Sequence, residues 1–147
     1  APVAVVTDDP DVVAWARAAG CTVLSDPGSL DGAADAGRIW ARDTGCERVV
    51  IAHADLPLVT TFAPVLGDGS APVVVVVPDH RDDGTPVLSL PVSAPLVFAY
   101  GPGSAARHVA AAEQCGLRVR IVRDPDLGFD VDVDDDLVAL EQRRVRP

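Results

Sequence analysis

Short apolar runs alternate with longer stretches in which apolar residues recur at helical spacing, and the alternation predicts β-α-β units. Val3–Val6 is a β-branched run that stops at Thr7-Asp8-Asp9-Pro10. A helix is expected from Pro10 to Ala19, with proline in its first turn and Gly20 just past its end. Cys21–Leu24 is a second strand, and Asp26-Pro27-Gly28 a turn. Leu30–Thr44 reads as a helix closed by Gly45, and Arg48–Ala52 as a third strand. That strand leads into His53-Ala54-Asp55-Leu56-Pro57. A short segment around Phe62–Leu66 precedes five consecutive valines, Val73–Val77, the least ambiguous strand of the chain. A run of that kind suits a strand covered on both faces.

Beyond Pro78, residues 79–86 form a polar loop and Val87–Leu90 another strand. Ser104–Cys115 is expected to be a helix ended by Gly116, Leu117–Val122 a strand and Asp134–Arg144 the last helix. The pattern predicts a three-layer, doubly wound α/β domain spanning residues 1–147, with a mostly parallel sheet. Ligands of such sheets sit at the carboxyl ends of the strands.

Composition narrows the function classes. The chain has 147 residues, enough for one domain that buries roughly 70% of its unfolded surface. Its net charge of −10 argues against nucleic acid, whose phosphates are bound chiefly by Lys and Arg. All twelve basic residues are arginine; there is no lysine, asparagine or methionine. No apolar run approaches the ~20 residues of a membrane helix, and no export signal is visible. Cys21, Cys46 and Cys115 have no metal-ligand spacing and read as thiols of a reducing compartment, so the cytoplasm is expected.

Three groups of residues carry candidate chemistry. Asp55 follows a buried strand, where a carboxylate either supplies an oxygen to Mg²⁺ or merely stabilises the turn; the residues alone leave the two readings even. In Asp130-Val131-Asp132, alternation puts two carboxylates on one side of an extended stretch, an arrangement a cation relieves. Asp134–Asp136 are explained by the dipole of the helix they begin. Gly101-Pro102-Gly103-Ser104 precedes a helix; it suits an anion site with Ser104 as N-cap and hydroxyl donor, or an ordinary capped loop. Gly84-Thr85 has the same two readings. His53, His80 and His108 are dispersed, and no catalytic role is assigned to them.

Taken together, Val6-Thr7-Asp8-Asp9-Pro10, His53–Leu58, Pro78–Thr85, Gly101–Ser104 with Arg107-His108, and Asp130–Asp132 with Asp136-Leu137 resemble one family in order and spacing. It is the 2-phospho-L-lactate and phosphoenolpyruvate guanylyltransferases of coenzyme F-420 biosynthesis. The resemblance runs to about Leu140 and implies a nucleotidyltransferase fold of the glycosyltransferase-A type. It further implies Mg²⁺-dependent transfer of GMP from GTP to a phosphorylated three-carbon acid, with release of pyrophosphate. By matching position, Asp55 and Asp132 would be catalytic, and Asp55, Asp130 and Asp132 would hold the metal. Thr85, Gly101 and Ser104 would bind the acid. GTP and that acid are the expected partners, with no nucleic acid and no membrane; homodimerisation is left open.

The match starts at the family's second strand, so the first strand and its triphosphate-gripping loop are expected to lie outside this chain. An open sheet edge is expected in its place. The 147 residues alone are expected to transfer no GMP. Two alternatives remain on sequence grounds: a molybdopterin-type nucleotidyltransferase, and a non-catalytic binding module that keeps only the acid pocket.

Overall fold

The computed structural model describes residues 1–67, 72–131 and 133–144, without the side chains of Arg143 and Arg144. β1 (Ala4–Val6), α1 (Pro10–Ala18) and β2 (Thr22–Leu24) open the chain. α2 (Leu30–Asp43), β3 (Arg48–Ala52), the one-turn α3 (Ala63–Leu66) and β4 (Val73–Val77) follow. β5 (Val87–Pro91), α4 (Ser104–Gln114), β6 (Arg118–Ile121) and α5 (Asp134–Arg144) complete it. Every element expected from the hydrophobic pattern is present, with ends shifted by a residue or so where helices fray into their caps.

Local chemistry explains the helix starts. The Asp9 carboxylate accepts from the amides of Asp11 and Val12 and caps α1, whose first residue is Pro10. Ser29 caps α2 by accepting from the Gly32 amide at 3.1 Å. At α4 the expected cap is displaced by one residue. Gly103, with φ of 72°, is the N-cap, and Ser104 is already helical. That left-handed turn favours glycine, and it swings the Ser104 side chain inward instead of back over the helix end.

β1 and β2 pair in parallel as a two-stranded sheet, while the larger sheet has the order β3-β5-β4-β6. β4 and β6 are parallel, and β5 runs antiparallel to both β3 and β4. Three of the four strands therefore point the same way. β5 is the exception because residues 78–86 turn the chain straight back beside β4, with no crossover helix. Among the described residues β1 pairs only with β2 and β3 only with β5, so each presents an open edge. α2 packs against both β1 and β3 and ties the two sheets together.

Register sorts the side chains of the larger sheet onto two faces. Val49, Ile51, Val74, Val76, Leu88, Leu90 and Val119 face α2 and α4, forming one core with Ala34, Ala41, Leu96, Phe98 and Ala112. Val75, Val77 and Val87 face the other way, against Val65 of α3 and Leu127. The alternating burial of the valine strand into two cores is why it is apolar throughout. Both cores end at the carboxyl ends of β3 and β4, where the loops that carry the polar motifs emerge.

Candidate active site

Backbone hydrogen bonds bring those loops to one end of the sheet. The His53 amide donates to the Pro86 carbonyl at 3.0 Å, which sets the turn after β3 beside the start of β5. The Val131 amide donates to the Asp55 carbonyl at 3.2 Å, bringing the acidic run alongside Asp55. The Ala105 amide donates to the Asp83 carbonyl at 3.0 Å, joining the start of α4 to the loop that carries Thr85. Motifs as distant in sequence as Asp55 and Val131 thus converge on a single surface.

One side of that surface is a neutral, buried network. The Ser104 hydroxyl donates to Thr85 Oγ1 at 3.1 Å, and His108 Nδ1 lies 3.0 Å from the same oxygen. The Ala99 amide donates to His108 Nε2 at 3.0 Å, so that nitrogen carries no proton and the neutral ring donates through Nδ1. Thr85 and Ser104 are each 1% exposed and His108 is fully buried. Burial lowers the His108 pKa to about 4, with Arg107 and His53 adding to the shift and Asp31 opposing it. Arg107 holds the adjoining loop by donating to the carbonyls of Ala99, Tyr100 and Pro102. The amides opening α4 are largely engaged as well, Ser104 with the Gly101 carbonyl and Ala105 with Asp83. This helix end therefore offers fewer free donors than its sequence suggests.

Tyr100 and His53, the latter two residues before Asp55, extend this network toward the turn after β3. Their rings are 5.4 Å apart, and Tyr100 lies 4.8 Å from the His108 ring. His53 Nε2 and the Tyr100 hydroxyl are buried without a hydrogen-bond partner among the described residues. Burial, and then the nearby Asp31 carboxylate, push the Tyr100 pKa up and keep the hydroxyl protonated. Asp31 in turn accepts from the Tyr100 amide at 2.7 Å. These residues were missed at the sequence level because a dispersed histidine and a lone tyrosine carry no spacing signal.

The other side is acidic. Asp55 is exposed, and no described residue hydrogen-bonds its carboxylate. Asp130 and Asp136 are 5% and 4% exposed, and the His80 ring lies between them, Nδ1 3.3 Å from Asp130 and Nε2 3.3 Å from Asp136. Arg81 donates to Asp136 at 2.7 Å. Asp136 is thus tied to the 79–85 loop as well as sitting in the first turn of α5, a role beyond helix-dipole compensation. Asp132 lies outside the described residues. Among the described residues no three carboxylate, histidine or cysteine side chains gather as a ready metal cluster.

Asp79 joins the two sides. Its carboxylate accepts from the amides of Arg81, Asp83 and Gly84 at 2.9, 2.9 and 2.7 Å. Burial alone would raise its pKa, but those amides, with help from His80, hold it below the usual value. A side chain at Gly84 would place its Cβ 2.7 Å from Asp79 Oδ2, so the cradle requires glycine there. Beside the loop a small cavity of about 290 Å³ is lined by Pro78, Asp79, His80, Arg123 and Gly128, among others.

The family model described as "Guanylyl transferase CofC like" matches residues 1–141. This chain belongs to that family. A phosphoenolpyruvate guanylyltransferase of Chloroflexus aggregans is 38% identical over 130 residues, covering 86% of this chain and 64% of the relative. The protein of the same name from Rubrobacter xylanophilus is 38% identical over 145 residues, 95% of this chain and 70% of the relative. The chain thus spans about two thirds of the length of these curated relatives. A solved structure from Desulfovibrio desulfuricans G20, described as belonging to a nucleotide-diphospho-sugar transferase, superimposes with a TM-score of 0.76 at 18% identity. It covers 99% of this chain and 68% of that one, and it shows the nucleotide-diphospho-sugar transferase fold. Among the described residues of this CofC-like chain, no helix is long and apolar enough to cross a membrane.

Proposed function

We propose that this chain carries the acceptor- and metal-binding part of a guanylyltransferase that joins GMP from GTP to phosphoenolpyruvate, in the making of coenzyme F-420. The observation that carries the reading is the convergence of the Asp55, Thr85, Gly101–Ser104 and Asp130 segments at the carboxyl end of one sheet. The names of the relatives favour phosphoenolpyruvate over 2-phospho-L-lactate as the acceptor.

A phosphate oxygen of the acid attacks the α-phosphorus of GTP. The new P–O bond links acid and GMP through a diphosphate, the bond to the β-phosphate breaks, and pyrophosphate leaves. The protein's part is positioning and charge compensation, with no covalent step of its own. The Gly101–Ser104 loop meets the acid, whereas the Thr85 and Ser104 side chains, expected to bind it, are each 1% exposed and bonded to one another. With His108 they form the hydroxyl and imidazole network that fixes the loop from behind, because each member is oriented by another.

The exposed Asp55 carboxylate and the neighbouring acidic stretch fit Mg²⁺, a hard cation that takes one or two carboxylates and completes its shell with phosphate oxygens. Bound there, it would supply Lewis-acid stabilisation of the triphosphate. Asp130 is already buried against His80, which favours Asp132 as the partner of Asp55. The deciding experiment is GMP transfer to phosphoenolpyruvate by the full-length protein, compared with its Asp55→Asn variant. Loss of at least a thousandfold in turnover with an unchanged circular-dichroism spectrum is expected. Near wild-type turnover with unchanged metal dependence would remove Asp55 from the mechanism.

A further inference from the structure

Aromatic rings run from the turn after β3 to the buried hydroxyl and imidazole network. Tyr100 stacks on Phe98 at 6.2 Å, meets the His108 ring edge-on at 4.8 Å, and lies 5.4 Å from the His53 ring with a tilt of 41°. Packing accounts for the rings. It does not account for two polar atoms among them, His53 Nε2 and the Tyr100 hydroxyl, which are buried and hydrogen-bond to no described residue. A buried polar atom without a partner costs free energy, so each one asks for an explanation.

The two atoms are complementary. Burial, and then the Asp31 carboxylate, raise the Tyr100 pKa, so its hydroxyl is a standing donor. An imidazole that carries its proton on Nδ1 offers Nε2 as an acceptor. The groups around them are committed elsewhere. His108 accepts from the Ala99 amide through Nε2 and meets Thr85 through Nδ1, and Asp31 reaches Tyr100 at its amide. Main-chain bonds hold both residues in place. The Tyr100 carbonyl accepts from Arg107 at 2.9 Å, and the His53 amide donates to the Pro86 carbonyl at 3.0 Å. Turning the two side chains about their own torsions is therefore enough to bring donor toward acceptor.

Their places in the chain give such a bond a consequence. Tyr100 directly precedes the Gly101–Ser104 loop, and His53 lies two residues before Asp55. We propose that Tyr100 and His53 are positioning residues, whose hydroxyl-to-imidazole hydrogen bond forms as the acid seats on the Gly101–Ser104 loop and aligns the Asp55 turn with it. The inference rests on the reading of that loop as the place of the phosphorylated acid. Contacts between acid and loop act on the residue next to Tyr100, which is how they favour one side-chain arrangement over another. The bond adds no chemical step. It fixes the acid's phosphate relative to the Asp55 carboxylate, and small misplacements of reacting groups are costly in rate.

Tyr100→Phe keeps the ring and removes only the hydroxyl. In the full-length protein, kcat for GMP transfer to phosphoenolpyruvate is expected to fall about tenfold, the scale of one lost hydrogen bond, with the KM for GTP unchanged. His53→Leu should match it. Tyr100→Phe/His53→Leu should be no worse than either single change, because both remove the same bond. His53→Gln, whose side-chain oxygen still accepts, should recover most of the rate lost in His53→Leu. An undiminished kcat in Tyr100→Phe, additive losses in the double variant, or equal losses in His53→Gln and His53→Leu would each overturn the pair. The bond is also read without turnover, from the His53 imidazole ¹⁵N signals at saturating phosphoenolpyruvate. An Nε2 signal identical in wild type and Tyr100→Phe would overturn the pairing. Wild-type protein that shows the bond but transfers no GMP would instead remove the proposed function and leave the pairing standing.

Discussion

The two sides of the strand-end surface are built on opposite principles. The Thr85–Ser104–His108 side is neutral and fully buried, and its polar atoms satisfy one another. The Asp55–Asp130–Asp136 side is anionic, with one exposed carboxylate and two buried ones gathered around His80. A neutral network can be completed within the protein, because each hydroxyl or imidazole both gives and accepts. Carboxylates only accept, so an acidic cluster needs cations or donors brought to it. The first side is therefore fixed in shape before any ligand arrives, and the second stays responsive to charge. The loop pinned by Asp79 belongs to both, carrying Thr85 at one end and His80 and Arg81 at the other.

That shared pin is the place to break both sides at once. Asp79→Ala leaves three amides without their acceptor, and charged hydrogen bonds of this kind are worth about 1.5–3 kcal/mol each. Some rehydration will offset the loss, so we expect a fall of about 3 kcal/mol in urea denaturation. A fall under about 1 kcal/mol would mean that the loop is held by its neighbours and not by the carboxylate.

Acid titration separates the two sides. His108 has a native pKa of about 4 against an ordinary 6.5, so between these values the unfolded chain binds a proton that the folded chain excludes. Stability from the neutral side is full above pH 6.5 and declines as the pH falls toward 4. Asp79, whose pKa is lowered below 3.8, contributes stability that is lost only at still lower pH. A His108→Gln variant is expected to flatten the upper limb of the stability profile and leave the lower one in place. An upper limb unchanged in that variant would assign it to another group.

The smallest effect is expected at Ser104. Its hydroxyl donates one neutral hydrogen bond inside the protein and does not cap α4, so Ser104→Ala should cost about 1 kcal/mol in the same denaturation assay. Acceptor affinity, read by calorimetry with phosphoenolpyruvate, should fall alongside it if the loop geometry matters to binding. A loss of stability with wholly unchanged affinity would confine Ser104 to a packing role.

The sequence by itself determined where helices and strands lie, because period, proline, glycine and capping residues act within a few positions of one another. Val73–Val77, Arg48–Ala52 and Asp134–Arg144 were legible to the residue. It also led to the expectation, through resemblance to motifs of a known family, that Thr85 and Ser104 face one another, and their hydroxyls do meet in the interior. What only the tertiary structure decided depends on partners distant in the chain. The antiparallel course of β5 follows from a turn whose direction no local pattern encodes. The one-residue shift of the α4 cap follows from the left-handed Gly103, which points Ser104 inward to Thr85. His108, His80 and Arg48 were silent in the sequence because a side chain's role is set by what packs against it. Their partners Thr85, Asp130 and Val73 lie 23 to 50 positions away, beyond the reach of any local periodicity.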